Sequence, residues 1–160
     1  MTDRSGERAE WPVAELDAVR RMRVLASALP GGGYAQLRID VPFERVWGYL
    51  ADMERSIPEL IGFIRRFELR DAGTAVATGL AGNRGRFDVE LRDGWCVMQD
   101  RWVVGGFAAV ADGDSTLVAA CGAVRTRGVR RVVPLLFGDR TVLRTLGKVR
   151  HAVGRSDQEL

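Results

Sequence analysis

The residues from 64 to 126 constrain the fold of this chain most, because apolar and polar side chains alternate there in short runs. Over 86–92, Phe87, Val89 and Leu91 alternate with charged residues, which is the period of a half-buried strand. Asp93-Gly94 follows, and this dipeptide is a strong signal for a tight hairpin. Strands joined by hairpins form an antiparallel meander, one face of which must be covered. Such runs predict about six strands, at 64–70, 74–81, 86–92, 116–126 and two within 95–111, joined at 100–101 or 105–106.

Helical patterns precede and follow this meander. An alternating strand over 34–41 leads into Pro42, and the helix that starts there has an apolar face at the i, i+3, i+4, i+7 spacing. A second short helix is predicted around 54–60, and Pro134 begins a long C-terminal helix. The face of the first helix consists of Phe43, Val46, Trp47 and Leu50. The long helix has an apolar stripe of Leu135, Val142, Leu146, Val149 and Val153, and a basic stripe of Arg140, Arg144, Lys148, His151 and Arg155.

This order of elements predicts an α+β fold. A curved antiparallel sheet of about seven strands would be wrapped around the long C-terminal helix, with two short helices after the first strand. Gly31-Gly32-Gly33 is the best candidate for a boundary. We therefore expect an N-terminal arm or packed helix over 1–33, one domain over 34–153 and a polar tail over 154–160.

Composition and charge limit the function further. The 160 residues suit one domain with a real core, and 24 basic against 21 acidic residues give a net charge of +3. The excess is local, because residues 125–150 hold eight basic residues and one acidic residue. We expect an anionic surface contact there, through Arg140, Arg144 and Lys148. Aromatic side chains do not interleave with these cations, which argues against nucleic-acid binding.

Few residues are available for metal or nucleophilic chemistry. Cys96 and Cys121 form no CxxC pair and His151 is the only histidine, so the sequence predicts buried free thiols, no metal site and no cofactor. No catalytic constellation is identifiable. No apolar run approaches the length of a membrane-spanning helix, and the first ten residues lack the apolar core of a secretory signal. The sequence therefore indicates a cytoplasmic protein without a transmembrane segment.

A motif after the first strand resembles a known family. Val41-Pro42-Phe43-Glu44-Arg45-Val46-Trp47, followed by Leu50-Ala51-Asp52 and Pro58, is similar to the opening of the START-like superfamily, also called the helix-grip or Bet v 1-like fold. Within it, the chain looks most like the bacterial polyketide cyclase/dehydrase branch. Asp112-Gly113-Asp114-Ser115-Thr116 resembles the hairpin before the last strand of that group. The resemblance covers roughly residues 34–153, so the segment over 11–30 departs from the minimal domain.

The resemblance implies a hydrophobic cavity between the sheet and the C-terminal helix. Its inward aromatic and aliphatic side chains would line a ligand site, or equally would fill an ordinary core. Runs of small residues at 75–81, 105–109 and 119–123 would leave room for a ligand, or would allow close helix packing. The residues predicted to bind the ligand are Phe67, Phe87, Val89, Leu91, Met98, Arg101, Trp102, Phe107, Leu136, Val142, Leu143 and Leu146.

Three functions follow from these observations. The first is binding of a small apolar or amphipathic molecule, such as a lipid, a polyketide or an isoprenoid-like compound, without a cofactor. The second is an enzyme of the polyketide cyclase/aromatase type, for which the resemblance carries over no catalytic residue because these differ between branches. The third is a non-catalytic interaction module that uses the basic face of the C-terminal helix. A homodimer is compatible with each of them.

Overall fold

A computed structural model describes residues 15–71, 73–125 and 137–155 of the chain. Four helices are present in these ranges: α1 (Ala18–Ser27), α2 (Phe43–Ala51), α3 (Met53–Leu60) and α4 (Asp139–Arg155). The strands are β1 (Gly33–Ile39), β2 (Ile64–Asp71), β3 (Thr74–Gly79), β4 (Arg84–Arg92), β5 (Trp95–Gln99), β6 (Val103–Asp112) and β7 (Ser115–Val124). The predicted start of the long helix at Pro134 and the predicted tail beyond residue 155 lie outside the described residues.

The seven strands form one antiparallel sheet in the order β1-β7-β6-β5-β4-β3-β2. Strands β2 to β7 are a continuous meander, and β1 pairs with β7 at the far edge. The predicted α+β helix-grip architecture is therefore confirmed. The connection between β5 and β6 lies at 100–102, because Gly105 and Gly106 both pair within the ladders on either side of β6.

The inner face of the sheet, defined here as the face toward α4, holds the main core. Helix α4 packs against β1 and β7 and also contacts α2 and α3. Val142, Leu146, Val149 and Val153 are its buried residues, and they repeat at the spacing of one helix face. They join inner-face residues such as Phe107 in a single apolar cluster. The stripe seen in the sequence is thus the face by which α4 is held on the sheet.

The outer face of the sheet is covered in part by α1. Asp17 caps this helix by accepting a 2.9 Å hydrogen bond from the Arg20 amide. Val19 and Met22 are buried against β6 and β7. The second apolar cluster that they form includes Ala108, Ala119 and Cys121. Part of the sheet is therefore buried on both faces.

None of the helices in the described ranges is long and apolar enough to cross a lipid bilayer. Helix α4, the longest of them, has 17 residues and alternates buried apolar with exposed basic positions. Its buried residues along this length pack against the sheet.

Replacing Gly147 with alanine should stabilise the protein by up to about 1 kcal/mol, because glycine has the lower helix propensity. An added Cβ at this position in α4 meets no atom within 4 Å. Gly106→Ala should have the opposite effect, since its Cβ would lie 2.6 Å from the carbonyl oxygen of Cys96. Urea unfolding followed by circular dichroism measures both variants. A loss of stability in Gly147→Ala would contradict this account of α4.

Candidate functional site

A cavity of about 400 Å³ lies between the inner face of the sheet and the first turns of α4. Its wall is mainly apolar, and it combines the end of α3, the start of β2, and inner-face residues of β4 to β7. The described residues that line it are Leu60, Ile61, Gly62, Phe63, Ile64, Phe87, Met98, Val103, Val104, Gly105, Gly106, Phe107, Ala120, Cys121, Gly122, Phe137, Thr141, Val142, Arg144, Thr145 and Lys148.

A row of glycines across three strands explains why space exists here. Met98 pairs with Gly105, Gly105 pairs with Gly122, and Gly122 pairs with Gly33, so three neighbouring inner-face positions lack side chains. Phe137 occupies part of the space, because a Cβ on Gly122 would lie 2.5 Å from its ring. A Cβ on Gly105 would meet only the Cys121 carbonyl oxygen, at 3.4 Å. The space over Gly105 is therefore part of the cavity.

Two aromatic rings close one side of the cavity. Phe63, between α3 and β2, and Phe137, just before α4, meet edge to face with ring centroids 6.0 Å apart and an interplanar angle of 83°. This is a favourable geometry for an aromatic pair. Phe63 keeps 39% of its surface exposed, so its ring contacts both the cavity and solvent.

The polar part of the cavity wall comes from α4. Thr141, Arg144, Thr145 and Lys148 recur at i, i+3, i+4 and i+7, and all four line the cavity. Lys148 Nζ donates to the carbonyl oxygen of Leu60 at 3.3 Å. The Thr145 hydroxyl donates to the Thr141 carbonyl oxygen at 3.1 Å. Among the described lining residues there is no carboxylate and no histidine, so this wall is cationic.

Both cysteines are free and buried, as the sequence predicted. Burial raises the pKa of Cys96 to about 12, and it raises that of Cys121 to about 11 although a backbone hydrogen bond from Gly106 acts in the opposite direction. Cys121 Sγ lies 3.2 Å from Met22 Sδ in the outer-face cluster. Both groups are protonated thiols at neutral pH, and the outer-face packing of Cys121 directs its thiol away from the cavity.

A second, more polar cavity of about 590 Å³ adjoins the first, and Phe63, Ile64, Phe87 and Val103 line both. Arg101 and Trp102 lie here, with the guanidinium 4.7 Å from the indole centroid. Asp100 accepts hydrogen bonds from the amides of Trp102 and Val103, each at 2.7 Å. Its carboxylate therefore shapes the turn between β5 and β6.

The structure distributes the twelve predicted site residues over several places. Those that line the 400 Å³ cavity are Phe87, Met98, Phe107 and Val142. Phe67 and Leu146 are fully buried in the inner core, and Val89 packs against it. Arg101 and Trp102 line the second cavity. Leu136 lies outside the described residues.

Two of the predicted residues, Leu91 and Leu143, are exposed and do not reach either cavity. Strand β4 continues past the end of β3, whose first residue Thr74 pairs with Asp88, so Leu91 has a neighbouring strand on one side only. Leu143 follows the buried Val142 by one residue, and a step of one residue turns the side chain toward solvent on a helix. Helix and strand geometry thus places both residues outside the two cavities.

Several lining residues are not indicated by the sequence pattern. Phe63 and Phe137 were not singled out, and Gly122 was not connected with Gly105. The pairing of two glycines on neighbouring strands depends on the register between those strands. This register cannot be predicted from either strand alone. No cluster of three or more metal-ligating side chains occurs in the described part of the chain.

Comparison with known proteins gives matches among solved structures. No model of a protein family matches the chain, and no curated protein matches it. A START superfamily protein from Mycobacterium smegmatis superposes with a TM-score of 0.55 and 16% identity, over 81% of this chain and 99% of that chain. Norcoclaurine synthase from Thalictrum flavum gives 0.54 and 15%, over 76% and 92%. A Thermus thermophilus protein gives 0.58 and 18%, over 78% and 98%. At these identities the similarity concerns the fold.

Proposed function

We propose that this chain, which has the START-like or helix-grip fold predicted from its sequence, binds one small apolar or amphipathic molecule in the 400 Å³ cavity. The observation that carries the proposal is the open space over Gly105, where an added Cβ would meet only one carbonyl oxygen, on an otherwise apolar sheet face. Close packing is the rule in protein interiors, so a cavity of this size on that face is suited to a ligand.

The hydrophobic effect favours a ligand that places an apolar part in this cavity. Its wall includes Phe87, Met98, Phe107, Val142 and the two facing rings of Phe63 and Phe137. Each methylene group that leaves water contributes about 0.8 kcal/mol. A ligand that buries six to eight such groups gains roughly 5 to 6 kcal/mol, from which the cost of losing free motion is subtracted. That cost is of comparable size, so the affinity depends strongly on how many apolar groups the ligand buries.

Filling the cavity with a side chain should abolish ligand binding. Gly105→Leu places an isobutyl group where a Cβ meets only one carbonyl oxygen at 3.4 Å, so the sheet can accept it. We expect saturable 1:1 binding of the neutral fluorescent probe N-phenyl-1-naphthylamine to the unmodified protein, and at least about tenfold weaker binding to Gly105→Leu. Fluorescence titration measures both, and circular dichroism confirms that the variant is folded.

The matched control is Ala111→Leu. Ala111 lies on the same strand, β6, but is exposed and does not line the cavity. This variant should bind the probe as the unmodified protein does. Equal probe affinity in Gly105→Leu and Ala111→Leu would place the probe outside the cavity and refute the proposal.

The finer sequence-based expectations stay predictions. These are a lipid, polyketide or isoprenoid-like ligand, membership of the bacterial polyketide cyclase/dehydrase branch with its cyclase chemistry, a cytoplasmic location and a homodimer. Norcoclaurine synthase, which shares the fold, has been solved in complex with a transition-state analogue. For this chain, the apolar lining and the two cations on α4 support binding as the primary role.

A further inference from the structure

We propose that the ligand is an amphiphile with a carboxylate head group, and that Arg144 and Lys148 bind this carboxylate. The inference rests on the proposed function and adds the charge of the ligand to it. It starts from the position of the two cations. They are four residues apart on α4, so their side chains lie on the same side of the helix, and both line the cavity.

The two cations lack a protein counter-charge. Among the described residues, no carboxylate lies within 4.0 Å of either side-chain cation. Several arginines on the sheet do have such a partner. Arg92 lies 2.9 Å from Glu90, for example, and Arg66 lies 3.1 Å from Glu68. The side chains of Arg144 and Lys148 are both exposed and line the cavity, so their charge is open to an anion that arrives from solvent.

The hydrogen-bond donors of this wall also favour a carboxylate. The Thr145 hydroxyl already donates to the Thr141 carbonyl oxygen, and the guanidinium and the ammonium are the charged donors among the described lining residues. One Lys148 proton goes to the Leu60 carbonyl oxygen, which positions the ammonium and leaves two protons for a ligand. A guanidinium matches the two oxygens of a carboxylate. The apolar remainder of the cavity would then hold the hydrocarbon part.

The test compares dodecanoate with dodecan-1-ol, which share the chain and differ in the head group. Each competes with N-phenyl-1-naphthylamine for the protein at pH 7.5. Because charge-assisted hydrogen bonds are the stronger ones, we expect dodecanoate to bind at least about tenfold tighter than the alcohol. In the double variant Arg144→Gln/Lys148→Met the two should bind within about twofold of each other, each affinity being taken relative to that variant's own affinity for the neutral probe.

A matched control separates a local contact from the general charge of the protein. Arg21→Gln/Arg150→Gln removes the same number of charges at exposed positions of α1 and α4 that do not line the cavity. It should keep the preference for dodecanoate. The inference is overturned if the alcohol binds the unmodified protein as tightly as the acid, or if this control loses the preference equally. Probe binding would still support the proposed function in either case, and absence of binding by all three compounds would refute both.

Discussion

Replacing Leu146 with alanine should lower the free energy of unfolding by about 2 to 5 kcal/mol. Leu146 has none of its surface exposed and lies on the face of α4 that packs in the inner core. Truncation removes three carbon atoms from contact with the core and leaves a hole next to residues that are themselves held by the sheet. The hydrogen-bonded strands around this site cannot move in to fill the hole, so the folded state loses most of the packing energy.

Leu143→Ala is the control for this prediction. It makes the same chemical change three residues earlier on the same helix, but Leu143 is 48% exposed. Its effect should stay below about 1 kcal/mol. Urea unfolding followed by circular dichroism at 222 nm gives both values. Equal losses in the two variants would mean that α4 does not present the face described above to the sheet.

Replacing Met22 with alanine is the second change with a large expected effect, again about 2 to 5 kcal/mol. Met22 is fully buried on the outer face of the sheet, where its Sδ lies 3.2 Å from Cys121 Sγ. Its Cε would lie 3.1 Å from a Cβ on Gly106, so the absence of a side chain at Gly106 allows the methionine to approach the sheet. Alanine would leave this space empty and weaken the hold of α1 on β6 and β7.

Val24→Ala is the corresponding control, because Val24 is on the same helix and 56% exposed. We expect a change below about 1 kcal/mol for it. If Met22→Ala were as mild as Val24→Ala, α1 would be an appendage of the domain and the outer-face cluster would not contribute to its stability. Thermal unfolding of the two variants, monitored in parallel, distinguishes these outcomes.

Local patterns in the sequence predict the elements of this fold well, because each depends on neighbouring residues. The alternation of Phe87 and Val89 with charged residues identifies β4, and Asp93-Gly94 identifies its turn. Gly94 has a φ of +71°, a conformation that suits glycine. The stripe that includes Val142 and Leu146 identifies the packed face of α4. The predicted strands and helices all follow from such signals.

The sequence pattern does not indicate that β7 is buried on both faces. All but one of its ten residues are buried, so the alternation that marks a half-buried strand is absent. The small residues Ala119 and Cys121 suggested either a ligand or close packing of the long helix. In the structure they pack against α1, because they face the outer side of the sheet. Which helix covers which face depends on contacts between distant parts of the chain.

The cavity depends on long-range register in the same way. Gly105 and Gly122 are 17 positions apart and contribute to one space only because β6 and β7 pair in this register. A slip of either strand by one residue would turn its glycine to the outer face. The residues that complete the wall, such as Phe63 and Thr141, come from a loop and from a helix. Thr141 shares a helix face with Arg144, Thr145 and Lys148, but no periodicity marks Phe63.

The cavity between the sheet and α4 should bind an apolar ligand. The most direct measurement is a crystal structure of the protein with 12-bromododecanoic acid, in which anomalous scattering locates the bromine atom. We expect one bromine peak within the apolar cavity, near Gly105 and Phe107, and none there in crystals of Gly105→Leu. A protein with an empty cavity at saturating ligand, or with bromine peaks only on its surface, would contradict this expectation.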